Sequence, residues 1–288
     1  MAQHPDVRGF FDPATHTVTY LVSDPETGVA AIIDPVLDFD AASARTSTRS
    51  IDKVMAALRE AELTLAIVLE THAHADHLTA ADHLRRAEGV SIGIGQNITK
   101  VQTTFAPLFG AADVATDGRA FDYLYADGDR FPLGTLSIEV LDTPGHTPAC
   151  VSYRIGDAVF TGDTLFMPDF GTARTDFPGG DARTLYRSIE RLLSLPGNTR
   201  LFVGHDYLPE GRAEYRFETT VAEQRDHNIH IGGAISEDMF IEMRQARDAT
   251  LPAPHLILPS LQINIRAGAL PPPEAGGRRY LKLPLDTI

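Results

Sequence analysis

The segment that most constrains this chain is Glu70-Thr71-His72-Ala73-His74-Ala75-Asp76-His77, directly after the apolar run Leu-Ala-Ile-Val-Leu at 65–69. It holds three of the 11 histidines within six residues, with an aspartate among them. Chance gives HxHxDH about once in a thousand chains of this composition. A solvated polar loop would need imidazoles, the commonest metal ligands, to cluster there by accident. In extended chain, residues i and i+2 point the same way, so His72 and His74 can converge on one metal position. Asp76 and His77 fall where the chain is expected to turn into a helix carrying Leu78 and Leu84, and can face a second position. Imidazole with carboxylate suits zinc, iron or manganese.

Three more candidate ligands each follow an apolar run: His146 after 136–141, Asp163 after 158–161, and His205 after 200–203. Ligands gathered at the strand ends of a rigid sheet are the expected way to hold a metal. Further strands are predicted over 17–22, 30–34 and 151–155. Ile51, Val54, Met55 and Leu58 repeat at helical spacing with Ser50 as a candidate cap, and 181–195 repeats the pattern until Pro196-Gly197. Strands with helices interspersed imply a layered α/β domain. After His205 the texture changes. Helices are predicted over 213–228 and 236–248, then a Pro- and Gly-rich tail from Pro252, which divides the chain into 1–208 and 209–288.

Composition narrows the partners. Lys and Arg number 25 against 39 Asp and Glu, a formal charge of −14. Such a surface repels phosphate backbones and anionic lipid, so neither nucleic acid nor a membrane is an expected partner. No apolar run reaches the ~20 residues that span a bilayer, and the first residues show no export signal. The one cysteine, Cys150, makes no intrachain disulfide and reads as a small core residue. A cytoplasmic protein is expected.

In order, THAHADH, TPGHT, TGD and GHDY resemble the signature of the metallo-β-lactamase fold superfamily. The resemblance implies an αβ/βα sandwich with the metal site at one edge and, here, a short C-terminal helical and loop extension. Asp34 in Ile-Ile-Asp-Pro matches that family's strand-end aspartate. The superfamily hosts hydrolases, nucleases and redox enzymes, so fold alone does not fix the reaction. Its nucleases carry basic surface and long insertions, which are absent here.

Of these, the closer resemblance is to the glutathione persulfide dioxygenase branch, through THAHADHLTA, TPGHTPACVSY, ARTDFPGGDARTLY and Asn264-Ile265-Arg266. That branch implies one Fe(II) on His72, His146 and Asp163, a 2-His-1-carboxylate triad that leaves positions open for O2 and a sulfur ligand. It implies oxidation of glutathione persulfide to sulfite and glutathione. A glyoxalase II-type dizinc hydrolase of glutathione thioesters is the alternative. It would place His72, His74 and His146 on one metal and Asp76, His77 and His205 on the other, with Asp163 bridging. A non-catalytic metal-binding or sulfur-carrier module is a third reading. The dioxygenase branch has Cys where this chain has Ala73 and Thr172, and residues 37–49 and 102–122 look inserted. Glutathione's carboxylates call for arginines and donors, so Arg174, Tyr207, Arg225, Asn264 and Arg266 are candidate substrate residues. Arg174 could instead pair with Asp176, and Arg225 could lie on a solvated helix face. His16 and His255 fit no ligand pattern, and His227 and His230, bracketing Asn228, have no assigned role. Relatives of this kind make a homodimer reasonable.

Overall fold

Alternation along the central strands explains the layering. In the computed structural model, which describes residues 4–233 and 235–287, the first sheet orders β1 (Asp6–Asp12), β2 (Thr17–Ser23), β3 (Val29–Ile33), β6 (Thr64–Glu70), β8 (Ser91–Gly95) and β9 (Tyr123–Tyr125). A small sheet joins β5 (Arg45–Ser47), β4 (Val36–Asp40) and β7 (Leu78–Thr79). The second large sheet orders β10 (Arg130–Leu133), β11 (Leu136–Asp142), β12 (Val151–Ile155), β13 (Ala158–Gly162), β14 (Arg200–Val203) and β15 (Glu218–Thr220). Tyr20, Val22, Ile33, Ile67 and Leu69 of the first sheet pack against Ile138, Val140, Tyr153 and Phe160 of the second. Their strand neighbours Leu21, Ile32 and Val68 point the other way, as a side-chain period of two requires. These outward residues pack against α1 (Arg49–Glu60), α2 (Ala81–Glu88), α3 (Ile98–Leu108) and α7 (Ile257–Asn264). Val159 and Leu201 face α4 (Ala182–Leu193), α5 (Val221–His227) and α6 (Glu237–Asp248). The result is the αβ/βα sandwich that the motifs implied.

Several local expectations change. Residues 213–228 do not form one helix, because 218–220 are held extended as β15 against β14, and only 221–227 coil. Thr220 and Glu223 then form a capping box. Leu78 lies in β7, paired with Leu37 of β4, so the helix after the motif starts at Ala81. Ser50 is not the cap of α1. The cap is Thr48, and Ser50 lies in the first turn, where its N–H and Oγ donate to Asp38 at 2.9 and 2.8 Å. A carboxylate at a helix start is favoured by the dipole. Most of the 37–49 stretch forms the β4–β5 hairpin, paired over 38–47, and residues 257–264 of the tail form α7, which packs on β7. The chain past 208 is therefore woven into both layers. Among the described residues, no helix is long and apolar enough to cross a membrane. Residues 1–3 of the amino-terminal stretch lie outside the described residues.

Candidate metal centre

Four strand ends supply the site. The 72–77 loop leaves β6, and His146 follows β11. Asp163 comes directly after β13, and His205 follows the end of β14 with only Gly204 between. Because β13 and β14 run parallel, their carboxyl ends lie side by side. Gly204 keeps that approach open, since a Cβ there would sit 2.6 Å from Asp163 Oδ1. Gly145, at φ 139°, sets the turn before His146, and a Cβ there would lie 2.3 Å from the Leu185 backbone.

Hydrogen bonds fix which imidazole nitrogens face inward. His146 Nδ1 donates to the Arg174 carbonyl at 2.8 Å, and His205 Nδ1 donates to the His16 carbonyl at 3.2 Å. A carbonyl only accepts, so Nε2 of each ring carries the free lone pair. For His72 the partner is Thr71 Oγ1 at 3.0 Å. That hydroxyl already donates to Asp34 Oδ2 at 2.8 Å, so His72 Nδ1 must be the donor. Carbonyl and hydroxyl partners of this kind orient ligating histidines.

The inward atoms cluster. Ligand atoms of His72, His146 and Asp163 lie within 4.8 Å of one another. His72 Nε2 and His146 Nε2 stand 3.8 and 3.7 Å from Asp163 Oδ2. His205 Nε2 is 3.3 Å from Asp76 Oδ2 and 3.4 Å from Asp163 Oδ1, and His77 Nδ1 is 3.5 Å from Asp76 Oδ2. Buried His72 Nε2, both ring nitrogens of His74, His77 Nε2 and Asp163 Oδ1 have no hydrogen-bond partner. Orphaned buried polar atoms are costly, and a cation bound by them removes that cost. The donor set therefore fits a metal.

His74 differs from its neighbours. Its Nε2 lies 3.0 Å from Asp34 Oδ1 and 3.3 Å from Glu70 Oε2, close but off the line of a hydrogen bond. Burial alone pushes the His74 pKa down, but these two carboxylates outweigh it and hold it well above the ordinary value. For His72, burial and then the neighbouring His74 push the pKa well below the ordinary value. His72 is thus a neutral, ligand-ready imidazole, whereas His74 is drawn into a carboxylate pair.

A cavity of about 370 Å³ adjoins the cluster, lined by Asp76, His146 and Asp163, the aromatics Phe166, Phe170 and Tyr207, and Arg174, Arg244, Arg247, Leu251 and His255. Tyr207 stacks on His205 and Phe170 at centroid distances of 5.5 and 4.7 Å. Arg174 reaches the cavity but also forks onto Asp176 at 2.5 and 2.6 Å and donates to the Pro252 carbonyl. Three other candidate substrate residues stand elsewhere. Arg225 closes the end of α4 by donating to the Leu193 and Leu195 carbonyls. Arg266 pairs with Asp113 at 2.7 Å in a separate pocket. Asn264 is buried behind the motif loop, donating to the His74 and His77 carbonyls at 2.8 Å each and accepting from Thr79 N–H at 2.9 Å. It holds the loop in place. Residues that sequence reasoning missed include Arg244, Arg247 and the His16 carbonyl. Cys150 is buried, and burial pushes its thiol up to about 12, so it is no nucleophile. A larger groove of about 990 Å³, lined by the β4–β5 hairpin, shares Ala14, Thr15, His255 and Leu256 with the metal cavity.

The fold and the clustered His and Asp ligands are those of a metal-dependent enzyme, and over residues 12–205 the chain matches the Metallo-beta-lactamase superfamily, to which it belongs. It is 53% identical to a "Probable metallo-hydrolase" of Burkholderia pseudomallei, covering 98% of this chain and 99% of that one. It is 50% identical to the "Beta-lactamase hydrolase-like protein" of Xylella fastidiosa strain Temecula1, matching over 99% of this chain but spanning only 66% of that protein. It is 33% identical to "Persulfide dioxygenase ETHE1, mitochondrial" of Bos taurus, covering 93% of this chain and 91% of that one. Among solved structures, ETHE1 from Myxococcus xanthus superposes with a TM-score of 0.74 at 34% identity, covering 92% of this chain and all of that one.

Proposed function

We propose that this chain is an Fe(II)-dependent persulfide dioxygenase acting on glutathione persulfide. The observation that carries the reading is the compact group of His72, His146 and Asp163. These three offer ligand atoms within 4.8 Å of one another, while His74 groups with Asp34 and Glu70 or with Asp76 and His77. Two imidazoles and one carboxylate suit a single Fe(II) with open positions. Bound by these residues, Fe(II) would supply O2 activation and Lewis acidity toward the persulfide.

The chain's residues do the rest. The Arg174 carbonyl and Thr71 hydroxyl hold His146 and His72 with Nε2 inward. Phe166, Phe170 and Tyr207 line the cavity and keep water from the sulfur. Overall, glutathione persulfide, O2 and water give glutathione and sulfite. The terminal sulfur is oxidised, both oxygen atoms of O2 are reduced, and the S–S bond is hydrolysed with release of two protons. The likeness to a persulfide dioxygenase over nine-tenths of the chain supports the same reading.

A second reading is a dizinc hydrolase of glutathione thioesters. The contacts of Asp76 with His77 and His205, and of His205 with Asp163, favour it, because these groups could seat a second metal. To separate the two, matched Fe(II)- and Zn(II)-loaded samples are assayed on glutathione persulfide and on S-lactoylglutathione. Turnover of the persulfide by the iron form alone supports the dioxygenase. Thioester hydrolysis by the zinc form, with no persulfide turnover by either, overturns it.

A further inference from the structure

Three arginines line the metal cavity, and their commitments differ. Arg244 is 1% exposed; its Nε donates to Asp248 Oδ1 at 2.9 Å and its Nη1 to the Thr172 carbonyl at 3.1 Å. Arg174 is held by Asp176 and the Pro252 carbonyl. Arg247 lies three residues along α6 from Arg244 and so on the same side of the helix. It is exposed, and among the described residues its guanidinium has no hydrogen bond or ion pair.

The carboxylates lining the cavity, Asp76 and Asp163, are both engaged by histidines: Asp76 by His77 and His205, Asp163 by His72, His146 and His205. A ligand with its sulfur at the metal cluster therefore meets an uncommitted cation in the cavity wall. In a chain of formal charge −14, such a cation also offsets the general repulsion of anions. Guanidinium matches a carboxylate through two parallel N–H donors, which a neutral amide or ester cannot reproduce.

We propose that Arg247 anchors a carboxylate of the substrate, making the cavity selective for carboxylate-bearing thiols over neutral ones. Arg247 is a specificity-determining residue, remote from the reacting sulfur. The inference rests on the metal cavity being the substrate site, as in the dioxygenase reading. It does not depend on which reaction follows.

The test measures binding of S-methylglutathione, an unreactive thioether, to the metal-loaded protein by titration calorimetry. The probe is compared with its diethyl ester, in which both carboxylates are blocked. Arg247→Gln is expected to weaken the tripeptide about tenfold and leave the ester unchanged, and Arg247→Lys to recover part of the loss. Equal tripeptide affinity in wild type and R247Q, or an equal loss for the ester, overturns the anchor, as does failure of wild type to bind the tripeptide. O2 uptake with glutathione persulfide is measured on the same samples. Charge-selective binding without O2 uptake would leave the anchor standing and sink the dioxygenase.

Discussion

Asn264 offers a direct test of how the motif loop is held. Its side chain makes three buried hydrogen bonds, to the His74 and His77 carbonyls and from Thr79 N–H. At about 1 kcal/mol net each, and with two carbonyls and one N–H left buried, Asn264→Ala should cost about 4 kcal/mol. At roughly 2–4 °C per kcal/mol for a chain of this size, the thermal midpoint should fall by roughly 8–16 °C. Metal affinity should fall too, by roughly 10–100-fold, because the braced loop carries His72. Far-UV circular dichroism of metal-free protein suits the first measurement, since the chain has no Trp, and titration with Fe(II) suits the second. Asn264→Asp sharpens the contrast. It keeps an acceptor for Thr79 but sets a carboxylate against two carbonyls, so it should be at least as damaging as alanine. A stability loss below about 1 kcal/mol with unchanged metal affinity, in either variant, would refute this role.

Asp248 accepts from Thr175 N–H at 2.8 Å and neutralises buried Arg244. Asp248→Asn should cost about 3–5 kcal/mol and loosen iron by disturbing the Arg174 carbonyl behind His146; wild-type iron affinity would contradict this. His230 is held neutral, its pKa pushed down to about 4 by burial and then by Arg244 and Arg247. Its folded pKa lies below its unfolded value of about 6.5, so its contribution is complete above that pH. About 3 kcal/mol should be lost as pH falls from about 6.5 to about 4. Urea unfolding of metal-free His230→Gln should be flatter over that window, and an unchanged slope would exclude His230 as the cause. Asp163→Ala should abolish iron retention, while His205→Ala keeps most of it; equal loss in both would favour a two-metal site.

The strands were legible because their apolar runs end in turn residues and ligands, and the metal residues because their types and spacing are improbable by chance. What the sequence could not show was tertiary. Residues 218–220 have no strong strand pattern of their own, and pairing with β14 overrides their helical context. Leu78 looks like a helix residue until β4 is seen to hold it extended. Asn264 and Arg266 stood out as a motif, yet one braces the histidine loop and the other pairs with Asp113. Arg225 and Arg247 are both arginines on polar helix faces. Only the fold separates the one that closes α4 from the one left uncommitted in the cavity wall.

The central claim is oxidation at a single iron. The most direct measurement is O2 uptake by protein of confirmed iron content when fresh glutathione persulfide is added, with sulfite assayed in the same sample. Uptake that scales with bound iron, with one sulfite per O2 consumed, is the expected result. No uptake from fully iron-loaded protein, or uptake without matching sulfite, would contradict it.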